Sequence, residues 1–110
     1  MTNDIIYNIT IYKGRNYSLH CKYVDDDDTP VDMSGWLVES TIREFAECND
    51  GVDFYCVSDA EGVHIYLSAV QTEGLGFRYG EYDIFVTDPD NNLRVKLVRG
   101  RVNVMPMGTR

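Results

Sequence analysis

The feature that most limits how this chain can fold is a two-residue alternation of apolar and polar side chains. It occurs in short segments, each bounded by turn residues. In "NYSLHCKYV", Tyr17, Leu19, Cys21 and Tyr23 fall on one phase, and Ser18, His20 and Lys22 on the other. Successive side chains of a strand point to opposite faces, so this alternation is the mark of a half-buried β-strand. The period returns in "VHIYLS", with Val63, Ile65 and Leu67 on one side. In "EYDIFVTD" it predicts that Tyr82, Ile84 and Val86 face inward.

The remaining segments fit between these strands. "DIIYNITIY" is β-branched and aromatic and predicts a first strand ending at Lys13-Gly14. "DDDDTPVDMSG" is a polar loop, because Thr29-Pro30 cannot continue a central strand. "WLVESTIREF" has room for two helical turns, but the preceding Gly35 and its β-branched residues favour a strand. Trp36, Val38 and Ile42 share one face of it, with Ser40 as an exception. "VDFYCVS" is a short strand. Ser68 followed by Gln71 resembles a capping box, which predicts one helical turn ended by Gly74. "DPDNN" is the clearest hairpin turn. In the returning "LRVKLVRGRVNVM", Leu93, Val95 and Leu97 oppose Arg94 and Lys96. The phase changes near residues 98–100, which predicts a bulge or bend, and Pro106 ends the strand.

These elements predict an all-β fold in one domain spanning residues 1–110. It is an antiparallel β-sandwich, Ig-like or jelly-roll-like, of about seven strands with one short helical turn. The sheet order is open, a small barrel included. Cys21 on the second strand and Trp36 on the third follow an immunoglobulin-like order, and Tyr82 stands where a tyrosine-corner residue would. Ile84 occupies the place of the second cysteine.

Charge and cysteines narrow the function classes. The net charge is −8, which is unsuited to coating nucleic acid. It is also uneven: Arg94, Lys96, Arg99, Arg101 and Arg110 crowd the end of the chain, whereas Asp25, Asp26, Asp27, Asp28 and Asp32 lie well before it. One acidic end and one more basic face would let copies stack; the plainer alternative is two solvated surfaces. Three cysteines at irregular spacing (Cys21, Cys48 and Cys56) argue against a disulfide framework and fit a reducing compartment. Neither a signal peptide nor a membrane-spanning stretch is expected.

Reactive groups do not converge in the sequence. His20 and His64 both fall on polar phases, and no nucleophile motif or phosphate-cradling glycine loop appears. Asp25 to Asp28 with Asp32 offer carboxylates to calcium, but lack the alternate spacing, Gly turn and closing Glu of a calcium loop; a solvated tip is the simpler reading. Asp88 and Asp90 are turn residues. Tyr66 and Phe85 take the phase opposite their aliphatic neighbours and therefore point outward. The expectation is a protein that is not an enzyme and needs no cofactor or metal. Its contacts are assigned to Tyr66, Phe85, Arg94, Lys96, Arg99, Arg101, Asp26 and Asp28.

The order of these features resembles small β-sandwich virion structural proteins of tailed bacteriophages, of the upper-baseplate, tail-fibre-attachment or decoration type. "TPVDMSGW" is similar to an "xPVDLTG" element lying between two strands. "YLSAVQTEGL" is similar to a strand followed by "LTxxQT". "GEYDIFVTDPDNNLRVKLVRGRVNVMP" is similar to "GxYxxxVTDPDGxxxxLLxGxVxV". Met33-Ser34 replaces the usual Leu-Thr, and Asn91-Asn92 the usual Asp/Asn-Gly. The resemblance covers nearly the whole chain. It implies a non-enzymatic assembly or adaptor module in a virion, made in the bacterial host cytoplasm. Its partners would be other virion proteins and copies of itself, with neither nucleic acid nor membrane among them. A capsid decoration role is the alternative within that class, and a calcium- or glycan-binding β-module the alternative outside it. The N-terminal strand and the tail beyond Val104 are expected to reach a neighbour by strand addition.

Overall fold

The computed structural model describes residues 5–24, 27–29, 31–44 and 51–106. Nine strands and one short helix follow in the order β1 (Ile5–Ile6), β2 (Ile9–Tyr12), β3 (Tyr17–Cys21), β4 (Leu37–Arg43), β5 (Val52–Asp53), β6 (Tyr55–Asp59), β7 (Gly62–Leu67), α1 (Ala69–Glu73), β8 (Tyr79–Asp88) and β9 (Leu93–Met105). They form two packed sheets. The larger runs β1-β9-β8-β4-β5, with β2 also on β9; the smaller runs β3-β7-β6. The all-β sandwich with one helical turn is thus as the alternation predicts. The chain crosses between sheets at β2–β3, β3–β4, β5–β6 and β7–β8, which gives an immunoglobulin-like strand order, β9-β8-β4 in one sheet and β3-β7-β6 in the other.

Two expected strands each divide in two, which raises the number from seven to nine. The chain of "VDFYCVS" changes sheets at Phe54. Val52–Asp53 pairs with β4, Tyr55–Asp59 pairs with β7, and Phe54 between them is buried, its N–H donating to the Ser40 carbonyl. The first strand is interrupted at Tyr7 and Asn8, and both halves run parallel to β9 rather than antiparallel. Ile9 and Ile11 are buried. The N-terminal segment, expected to reach a neighbour, pairs with β9 and forms the edge of this chain's own sheet. The tail after residue 106 lies outside the described residues.

The core is the inward phase of both sheets. Ile42, Ile84, Val86, Val63, Ile65 and Leu67 are all shielded from solvent, and Tyr82 nearly so. Ser40, the polar exception on the inner face of β4, is buried because its hydroxyl donates to the Asp83 carbonyl at 2.6 Å. That bond offsets the desolvation of the hydroxyl. Met33, in a loop by sequence, is fully buried and held by backbone bonds to Asp59 and Trp36. Leu93, expected on the inner phase, is exposed beside the hairpin turn.

The helix forms as its cap predicts. The Ser68 hydroxyl accepts from the Gln71 N–H, the Gln71 side chain accepts from the Ser68 N–H, and Gly74 ends the turn. Thr72, fully buried, donates to the Arg15 carbonyl and accepts from the Gly14 N–H, which ties α1 to the β2–β3 turn. At the other hairpin, the Asp88 carboxylate accepts from the Asp90 N–H and from the Asn91 amide, as expected of turn chemistry.

Tyr82 is not a tyrosine corner. Its hydroxyl donates at 2.6 Å to the carbonyl of Tyr7, 75 residues upstream, across β9. The phenol passes over Gly100, where a Cβ would overlap the Tyr7 carbonyl and crowd the Tyr82 ring. Asn8 completes the seam, its Oδ1 accepting from the Arg101 N–H at 3.0 Å. The pairing of the N-terminus with β9 therefore depends on a glycine in β9 and a tyrosine in β8. Tyr82→Phe is expected to cost about 1 kcal/mol of stability, and Gly100→Ala about 1–3 kcal/mol through overpacking. Urea denaturation measures both; stability unchanged by Gly100→Ala would contradict this seam.

Candidate functional site

Because the inner phases fill the core, the outer phases of the two sheets make the principal surfaces, and they differ in chemistry. The registers place the outer side chains of the large sheet in rows. Glu39 lies beside Phe85 and Lys96, Thr41 beside Asp83 and Arg99, and Arg43 beside Glu81 and Arg101. A groove of about 490 Å³ runs across these rows near Ile6 and Asn8. Its charged lining comprises Arg43, Lys96, Arg99 and Arg101 with Glu81 and Asp83.

The gathering of cations depends on one irregularity. Lys96 and Arg99 are three residues apart, so a regular strand would turn them to opposite faces. The register of β9 shifts opposite Ile84 and Phe85, and Leu97 and Val98 are both buried in succession. A β-bulge of this kind adds one residue to one strand. It returns Arg99 and Arg101 to the face that carries Arg94 and Lys96. The expected phase change is thus present, one residue before the segment that suggested it.

Phe85 lies half-buried on this face beneath two cations. The Arg94 guanidinium carbon is 3.8 Å from the ring centroid and Lys96 Nζ is 5.3 Å away. Arg94 also bonds Glu39, with Nη2 to Oε1 at 3.0 Å. The ring therefore orients the basic side chains, and only part of it is open to a partner.

Tyr66 lies elsewhere. On the outer face of the small sheet, Ser18, Tyr66 and Tyr55 form one cross-strand row, and His20, His64 and Val57 the next. None of these six residues carries a carboxylate, an ammonium or a guanidinium. The two imidazoles stack, with centroids 4.2 Å apart and planes 13° from parallel. His64 Nε2 donates to Asp59 at 3.1 Å, and His20 Nε2 lies 2.9 Å from the Glu61 carbonyl. Sequence phase places both histidines on the outside, but cross-strand register alone brings them together. The seven described residues among the eight predicted contacts thus divide between two faces and a loop. Asp28 is exposed with a positive φ of 61°, and Asp26 lies outside the described residues. Asp32 belongs to its own turn: its carboxylate accepts from the Ser34 N–H at 2.9 Å, and bonding to Ser34 holds its carboxyl below the usual range.

Among the described residues, no group of three or more His, Cys, Asp and Glu side chains is placed to hold a metal ion. Also among them, no helix is long and apolar enough to cross a membrane. Cys21 and Cys56 are free thiols, and burial pushes both up from the ordinary thiol range. Cys48 lies outside the described residues. No protein-family model matches the chain, and neither does any curated protein.

The Phe85–Arg94 contact is separable from the Glu39 ion pair. A double-mutant cycle of Phe85→Leu and Arg94→Gln, made in a Glu39→Gln background, is expected to give a coupling of about 0.5–1 kcal/mol, the size of an exposed cation–π contact. Thermal or urea unfolding of the variants measures it, and zero coupling would leave Glu39 as the sole anchor of Arg94.

Proposed function

We propose that this protein is a non-enzymatic virion structural component of a tailed bacteriophage, an assembly module of the tail, baseplate or fibre-attachment region. The observation that carries this reading is the basic groove on the large sheet. Four of the ten Lys and Arg residues line it, in a chain whose net charge is −8. Such a groove is attractive to an acidic protein surface and poorly suited to a polyanion, which the rest of the chain repels.

Among the described residues, the exposed Asp27, Asp28 and Asp32 of the β3–β4 connection offer a complementary surface on the same chain. The acidic loop enters β4 at Leu37, whereas the groove lies near Arg43, at the other end of that strand. Leu37 and Arg43 are six residues apart, about 20 Å at 3.3 Å per residue, and from Arg43 the groove reaches back to Lys96 in the row of Glu39. Acidic and basic surfaces toward opposite ends of one body favour head-to-tail contacts, and these close into rings or extend into stacks according to the angle between copies. A rigid sandwich with both outer faces available suits repeated identical contacts. The resemblance of the "TPVDMSGW" and "VTDPDNN" segments to phage virion proteins supplies the setting.

Quantitative mass spectrometry of gradient-purified particles, from the phage whose genome carries this gene, tests the assignment. The expected result is this chain at a fixed integer ratio to another tail component. A chain found only in the soluble lysate, never with particles, would refute it. A ratio fixed to the major capsid protein would move it to the head.

A further inference from the structure

The small sheet carries a second depression whose chemistry is unlike that of the basic groove. It lies where β7 runs into α1 and has a volume of about 470 Å³. Among the described residues, eight line it and none bears a formal charge, in a chain with 28 Asp, Glu, Lys and Arg side chains. A lining of this kind selects against phosphates, carboxylates and metal ions, and favours a neutral ligand.

Its floor is aromatic. Tyr55 and Tyr66 are 67% and 39% exposed, with ring centroids 6.1 Å apart and planes inclined by 37°. They occupy adjacent positions of one cross-strand row, beside Ser18. Its rim is polar and fixed. The Asn16 side-chain oxygen accepts from the Ala69 N–H at 2.8 Å, and that of Gln71 accepts from the Ser68 N–H at 2.9 Å. Each side-chain amide is anchored through its oxygen, so its NH₂ is the end presented as a donor.

We propose that this groove binds a neutral saccharide. A pyranose ring presents flat patches of C–H bonds with hydroxyls around its edge. The tyrosine floor meets the first by dispersion, and the amides and hydroxyls of the rim meet the second. A purely apolar ligand would leave the amide donors unpaired, which costs binding free energy. The volume falls within the range of small-ligand sites and accommodates a short oligosaccharide. The capping box that opens α1 also sets the rim, because Gln71 and Ser68 belong to both. This site is on the sheet opposite the basic groove and stands independently of the assembly role.

The test is a ¹H–¹⁵N NMR titration of the full chain with cellotriose, maltotriose and chitotriose. At least one is expected to give saturable shifts confined to Asn16, Ser18, Tyr55, Tyr66 and Gln71. Tyr66→Ala and, independently, the more exposed Tyr55→Ala are expected to weaken it about three- to tenfold, the loss of one aromatic contact. Tyr79→Ala, at a tyrosine 65% exposed on the large sheet, is expected to leave binding unchanged. The proposal is overturned by no saturable shift with any of the three sugars, or by affinity indifferent to both variants. Shifts at these residues that follow protein concentration without sugar would also overturn it, by making the face an interface between copies.

Discussion

Everything in this molecule follows from packing the inner phase of one sheet against the inner phase of the other. Side chains alternate along a strand, so filling the space between sheets with Ile42, Ile84, Val86, Val63 and Ile65 commits the intervening residues to the outside. The outer rows are therefore a consequence of the core. A one-residue slip of β8 would bury Asp83 and Phe85 and expose Ile84 and Val86, a change the apolar interior strongly opposes. The outer surfaces are thus held in register by hydrophobic burial some distance beneath them.

Two local devices turn that scaffold into a specific surface. The bulge at Leu97–Val98 breaks the alternation once and brings four cations of β9 to the same side. Gly100 then lets the N-terminal segment approach β9 closely enough for Tyr82 to bond Tyr7. Both lie within a few residues of the basic groove, so the same short stretch closes the sheet edge and shapes the groove. Phe85 adds order by stacking beneath Arg94 and Lys96, which limits the conformational freedom those long side chains lose on binding.

The elements with strong local signals were legible in the sequence. The alternation of "NYSLHCKYV" and "EYDIFVTD", the Ser68–Gln71 cap and the "DPDNN" turn each owe their structure to neighbours within a few positions. Features set by distant partners were not. Nothing near Phe54 marks it as the point where the chain changes sheets, and a lone Met33 in a polar loop gives no periodic sign of burial. The parallel pairing of β1 and β2 with β9 is reinforced by the hydroxyl of Tyr82, which from sequence looked like a local corner. Of the contact residues, the outward phase of Tyr66 and Phe85 was visible. Their separation onto opposite faces was not, because it depends on which sheet each strand joins. Arg43 and Tyr55, each central to one of the surfaces, were missed for the same reason.

The central claim is that this protein works through its outer faces, with the basic groove as a charge-complementary contact for an acidic surface such as that of its own copies. Sedimentation velocity over a range of concentrations tests it most directly, at about 0.05 M and about 0.5 M salt, where screening differs severalfold in range. The account predicts association at low salt that weakens at high salt and is lost in the Lys96→Glu/Arg101→Glu variant while the fold is retained. A chain that stays monomeric at every concentration and salt, or that associates equally well with those charges reversed, would contradict it.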